Sequence, residues 1–68
     1  MTIHYEIWQQ VKTVNKNWLE TIFFTQSERV ARTSYKDLVK DNPLEYFELL
    51  KIENTEECLA FTPLKGIV

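Results

Sequence analysis

The sequence has few of the residues on which several functional classes depend. Its 68 residues include one cysteine, one histidine, one glycine and two prolines. The single cysteine, Cys58, cannot form an internal disulfide, and one cysteine with one histidine cannot complete a tetrahedral zinc site. The single glycine, Gly66, is too few for a glycine-rich phosphate-binding loop. We therefore expect no metal, no cofactor and no catalytic residues, and hence a protein that is not an enzyme.

Long apolar runs are absent as well. No stretch approaches the ~20 apolar residues that a membrane-spanning helix needs, and residues 1–6 lack the basic start and apolar core of a signal peptide. The chain is 44% hydrophobic and contains two Trp, three Tyr and four Phe, a composition that favours collapse over disorder. We expect a single domain over residues 1–68, located in the cytoplasm and not bound to a membrane.

Alternation of side chains predicts strands on both sides of one helical segment. In residues 3–14, Ile3, Tyr5 and Ile7 point one way and the residues between them point the other way. A turn is predicted at 15–17, because asparagine tolerates positive φ. The predicted strands cover residues 3–14, 18–24, 44–53 and 58–62.

The segment Thr25-Gln26-Ser27-Glu28 matches a capping box, in which the Thr25 hydroxyl and the Glu28 carboxylate bind each other's backbone amides. The helix is predicted over residues 26–40, since the residue before Pro43 is forced out of the helical conformation. At 100° per residue, small and apolar residues that include Ala31 and Leu38 form the buried side. The opposite side of the helix is a basic stripe of Arg29, Arg32, Lys36 and Lys40.

The predicted fold class is α+β, with the element order ββαββ. A right-handed crossover from the second strand to the third places the third strand antiparallel beside the first. The predicted sheet order is 2-1-3-4, with the helix on one face. One helix cannot cover both faces of such a sheet, so we expect exposed apolar surface on the other face, as is typical of interaction sites.

Two surfaces are candidates for binding a partner. The first is an aromatic sheet face that includes Trp8, Trp18 and Phe47, since aromatic residues supply much of the energy of protein interfaces. Such a face can also stack on single-stranded bases, but acidic residues among the strands favour a protein. The second is the basic stripe, which can contact phosphates or serve only as a solvated helix face. The net charge of −2 argues against nucleic acid.

The single histidine and the single cysteine are not typical of a reactive site. His4 is predicted to be a surface or edge-strand residue. Cys58 lies beside Glu56 and Glu57, which disfavour a thiolate. We expect Cys58 to be a small buried apolar residue.

The ββαββ order, carried by segments 3–12, 18–24, 25–40, 45–53 and 58–62, resembles that of small proteins encoded by phages and other mobile elements. Some anti-CRISPR inhibitors place one helix on a small antiparallel sheet in this way. The resemblance is one of architecture and transfers no functional residues. It implies binding to a larger host protein or complex.

The leading hypothesis is therefore a non-catalytic protein-binding module that inhibits or regulates such a complex. The alternative is a nucleic-acid-binding accessory protein that uses the basic stripe. A subsidiary prediction is a homodimer formed through the sheet.

Overall fold

The computed structural model describes residues 2–61. Its elements are β1 (His4–Lys12), β2 (Asn17–Thr25), α1 (Glu28–Asp41), β3 (Phe47–Ile52) and β4 (Glu56–Phe61). The strands form one antiparallel sheet in the order β2-β1-β3-β4, and α1 packs on one face of it. The predicted fold class, element order and sheet order are confirmed.

The core lies between α1 and one sheet face, which we call the covered face. It consists of Tyr5, Ile7, Phe47, Leu49 and Ala31, all buried. Ile7 pairs directly with Leu49, and alternation along β1 and β3 places the odd-numbered residues of both strands on this side. The small Ala31 side chain lets the helix backbone approach the sheet closely.

The turn between β1 and β2 is closed by a threonine rather than by asparagines. The amide of Thr13 donates to the carbonyl of Lys16 at 2.7 Å, and the amide of Lys16 donates to Thr13 Oγ1 at 3.1 Å. The turn predicted at 15–17 therefore lies too late in the chain. The positive φ on which the prediction of an asparagine turn was based is also not found, since no non-glycine residue between 2 and 61 has a positive φ.

The helix begins later than the sequence pattern predicts. Ser27 is the N-cap, and its hydroxyl accepts a hydrogen bond from the amide of Val30 at 3.2 Å. The Thr25 hydroxyl instead accepts from the amide of Ser27, in a turn before the helix. The predicted capping box is wrong, because Glu28 occupies the first helical position, where its carboxylate binds Arg32.

The end of the helix is close to the predicted one. Asn42 donates both its backbone amide and its Nδ2 group to the carbonyl of Leu38, at 2.9 and 3.0 Å. Pro43 follows and begins a short turn. This turn delays β3 to Phe47, three residues after the predicted start.

The last strand begins earlier than predicted, because the turn before it is confined to residues 53–55, where the amide of Glu53 donates to the carbonyl of Thr55 at 3.2 Å. β4 therefore begins at Glu56. The end predicted at Thr62 lies outside the residues described.

Each edge strand contains a β-bulge. In β2 the extra residue is Ile22, and in β4 it is Leu59. A bulge reverses the alternation of side chains beyond it. Phe23 is consequently packed against the core, while Phe24 points to the other face of the sheet.

Candidate functional site

The sheet face away from α1 is uncovered by any element within residues 2–61, and we call it the open face. It is formed by the even-numbered residues of β1 and β3 and by the residues that pair with them. The aromatic residues that its strands contribute are Trp8, Phe24 and Phe61. Phe24 and Phe61 are 59% and 48% exposed, so this face presents aromatic surface to solvent.

Glu6, on the central strand β1, accepts three hydrogen bonds on the open face. Its Oε1 atom accepts from Trp8 Nε1 at 2.7 Å and from Thr21 Oγ1 at 3.1 Å. Its Oε2 atom accepts from His4 Nε2 at 2.8 Å. Two of the donors lie two residues away on the same strand, and the third lies on β2. These bonds fix the orientation of the Trp8 indole.

The imidazole of His4 also stacks on the ring of Phe24, with the ring centroids 4.6 Å apart and an interplanar angle of 30°. His4 lies on the open face with 22% of its side chain exposed, which fits the predicted surface position. The edge-strand alternative is wrong, because β1 lies between β2 and β3. We call His4, Glu6, Trp8, Thr21 and Phe24 the Glu6 cluster.

The hydrogen bonds determine the charge of Glu6. Partial burial acts to raise the pKa of its carboxyl, but the hydrogen bonds from Trp8, His4 and Thr21 outweigh burial and lower this pKa below its ordinary value. The group is therefore ionised at neutral pH. A carboxylate in this state serves as an acceptor that holds its neighbours and is a poor proton donor.

A second carboxylate on the open face is also engaged. The hydroxyl of Tyr46 donates to Glu48 Oε2 at 2.6 Å. This bond, together with burial, raises the pKa of Tyr46 to about 12. Tyr46 therefore stays protonated and keeps donating throughout the physiological pH range.

The predicted burial of Cys58 is wrong, because the residue is exposed on β4. The bulge next to it sends Leu59 toward the core instead. Partial desolvation, followed by the charge of Glu48, raises the pKa of the Cys58 thiol. The thiolate is disfavoured as the sequence suggested, but by desolvation and by Glu48 rather than by the adjacent glutamates.

The three aromatic residues predicted to share one sheet face do not lie together. Trp8 is on the open face. Trp18 pairs with Val11 and so lies on the helix side, near the β1–β2 turn, where it is 42% exposed. Phe47 is 1% exposed in the core, which removes it from any surface. The sequence could not decide its side, because the run Phe47-Glu48-Leu49-Leu50 offers apolar residues to both faces.

The basic stripe is exposed along α1 at all four of its positions. Arg32 Nε lies 2.8 Å from Glu28 Oε2, and this hydrogen bond is the main reason why the pKa of Glu28 is lowered. Because α1 packs on the covered face, the stripe and the open face point in opposite directions. One compact partner surface cannot contact both.

The Glu6 cluster is the feature that the sequence interpretation missed. Alternation places His4, Glu6 and Trp8 on the same side of β1. The available signal was a carboxylate two residues from both an imidazole and an indole N–H, on one face of one strand. The contribution of Thr21 depends on the register of β2 and could not be read from sequence.

Within residues 2–61, no group of three or more His, Cys, Asp or Glu side chains is placed to hold a metal ion. No helix in the same part of the chain has the length and apolar character needed to cross a membrane. Comparison with protein-family models, curated proteins and solved structures gives no significant match.

Proposed function

We propose that this protein is a non-catalytic protein-binding module. It inhibits or regulates a larger protein complex in the host cytoplasm, in the manner of the small anti-CRISPR-like proteins of phages and mobile elements. The observation that carries the proposal is the open face, on which Phe24 and Phe61 are about half exposed. Exposed apolar patches of this kind on small domains are typical of interaction surfaces.

The Glu6 cluster supports a binding role because it orders this surface before any partner arrives. Trp8 is held by its bond to Glu6, and Phe24 rests on His4. Side chains that are already ordered lose less conformational entropy when they bind. A partner that covers Phe24 and Phe61 therefore gains apolar contact at a reduced entropic cost.

The chemistry of the open face argues against catalysis. Glu6 has a lowered pKa and three donors, while the Cys58 thiol and the Tyr46 hydroxyl have raised pKa values. General bases and nucleophiles work best with a pKa near the operating pH. Each of these groups is shifted away from that range.

The second candidate function is nucleic-acid binding through the basic stripe, favoured by the exposure of all four of its side chains. Phosphate binding by such a stripe is steeply salt-dependent, since log K falls with log salt by about 0.9 for each phosphate contact. Apolar contact through the open face responds little to salt. The two functions therefore differ in a quantity that is easily measured.

The test is affinity capture from bacterial lysate, with and without nuclease, using matched variants. Phe24→Asp and Phe61→Asp place a charge on the open face. Val14→Asp introduces the same charge at a fully exposed turn position away from both surfaces. We expect a stoichiometric protein partner that resists nuclease, remains bound to the Val14 variant and is lost from both phenylalanine variants. Circular dichroism checks that each variant is folded.

Two results would contradict this proposal. Retention of the partner by both phenylalanine variants would show that the open face is not the contact surface. Loss of the captured material after nuclease treatment, together with its loss from a Lys36→Glu, Lys40→Glu double variant, would assign the function to nucleic acid and the basic stripe.

A further inference from the structure

The two edges of the sheet differ in how they are protected against pairing with another strand. β4 has six residues and begins with Glu56 and Glu57, and short charged strands are protected edges. β2 has nine residues, and Glu20 is its single charge. Within the described chain β2 pairs only with β1, so its outer side has no strand beside it.

β2 is also apolar on both faces. It is exposed at all but two positions, and its exposed large apolar residues are Trp18, Leu19, Ile22 and Phe24. Leu19, 40% exposed, lies on the open face opposite Gln10, and Trp18 lies on the helix side opposite Val11. An unpaired edge with apolar residues on both faces is a template for a further strand.

We propose that β2 pairs antiparallel with β2 of a second copy of this chain, about a two-fold axis at Leu19. Leu19 then faces Leu19 of the second copy, Trp18 faces Glu20, and Asn17 faces Thr21. The two sheets become one continuous eight-stranded sheet, and their open faces lie side by side. This inference does not depend on the proposed function, because it concerns the edge of the sheet rather than its face.

The register follows from the bulge and from the charge. Residues 17–21 precede the bulge at Ile22 and keep regular alternation, so a pairing centred on Leu19 joins open face to open face. Centring the pair on Glu20 would place two carboxylates directly opposite each other, which is destabilising. A one-residue slip would pair residues of opposite faces. Pairing centred on Leu19 avoids both problems and is self-complementary, as a two-fold interface requires.

The first test is the mass of the protein by light scattering across a wide dilution series. We expect the mass to rise with concentration from 8.2 kDa toward twice that value. Leu19→Lys brings two ammonium groups together at the axis and should weaken the dimer at least tenfold. Leu44→Lys makes the same change at a residue that is 96% exposed in the turn before β3, and it should behave like the wild type.

The second test measures the register in a Cys58→Ser background. Directly opposite residues of antiparallel strands have their Cα atoms about 5 Å apart, a distance that a disulfide can bridge, whereas Cα atoms more than about 7 Å apart cannot be bridged. Oxidation should therefore link copies through Leu19→Cys but not through Glu20→Cys, since each Glu20 faces Trp18.

Three results overturn the proposal. A monomeric mass at every concentration would show that β2 does not pair with a second copy, and any strand added at this edge would then come from another protein. A dimer unaffected by Leu19→Lys would place the interface elsewhere. Equal cross-linking through positions 19 and 20 would exclude the Leu19 register.

Discussion

The two faces of the sheet are kept in order by different interactions. On the covered face, Ile7, Phe47 and Leu49 are each at most 1% exposed and pack against Ala31, so order comes from dense apolar contact. On the open face, order comes from the carboxylate of Glu6 and its three donors. A domain with one helix can bury only one face of its sheet, and on the other face hydrogen bonds keep the side chains in order.

The difference between the faces is not absolute. Leu50 lies on the open face and yet is only 4% exposed. It pairs with Glu6 on β1 and with Cys58 on β4. The open face is therefore packed at its centre and exposed at Phe24 and Phe61. Substitutions on the two faces should separate stability from binding.

The largest effect is expected on the covered face. Phe47→Ala removes a fully buried ring and leaves a cavity, which costs about 3–5 kcal/mol of unfolding free energy. A domain of this size has a stability of only about 3–10 kcal/mol, so the variant is expected to be partly unfolded at 25 °C. Urea denaturation followed by circular dichroism measures the loss, and Ile7→Val, with an expected cost of about 0.5–1.5 kcal/mol, provides a variant that still folds.

The next largest effect is expected at Glu6. Glu6→Ala leaves the partly buried Trp8 indole N–H without its acceptor, which costs about 1–3 kcal/mol. The Thr21 hydroxyl is exposed and can bind water instead. Trp8 should also become more mobile, which its fluorescence anisotropy reports in a Trp18→Phe background. A change within about 0.5 kcal/mol, the usual range for surface substitutions, would show that the Glu6 cluster does not order the open face.

The pH dependence of stability sharpens the same comparison. The pKa of Glu6 is lowered in the folded state from 4.5, so its contribution is present above pH 4.5 and is lost as the pH falls through the folded value. Wild-type unfolding free energy should therefore decrease on acidification below about pH 4.5, and Glu6→Gln should flatten that decrease. Glu28→Gln is the matched control, because the pKa of Glu28 is also lowered but its side chain is about half exposed. An equal flattening by both variants would contradict a special role for Glu6.

Much of this fold can be predicted because its signals are periodic. The two-residue alternation of β1 and the proline after α1 defined the elements, and the handedness of the crossover defined the sheet order. The ends of the elements were harder to predict, because neighbouring residues of similar chemistry can each occupy the capping position. Thr25 and Ser27 can both cap a helix, and both stand shortly before Glu28. In the structure the N-cap is Ser27.

The candidate site was harder to predict, because its residues depend on register. The bulge at Ile22 decides that Phe24 joins the open face, and nothing in the local sequence requires a bulge there. The face on which Phe47 lies is decided by its packing against α1, since β3 has apolar residues on both of its faces. The basic stripe was predictable because exposure on a helix follows directly from the 3.6-residue period.

The smallest effect on stability is expected at Phe24, where stability and binding should separate most clearly. Because the ring is 59% exposed, Phe24→Ala loses mainly its stack on His4, at a cost of about 0.5–1.5 kcal/mol. If the open face binds a protein, the same variant should lose at least 2 kcal/mol of binding free energy, as central aromatic contacts do. Val30→Ala, at an exposed apolar position on α1, should leave binding unchanged. A Phe24 variant that binds normally would mean that this ring serves only to order His4, and the contact surface would have to lie around Phe61 or beyond the open face.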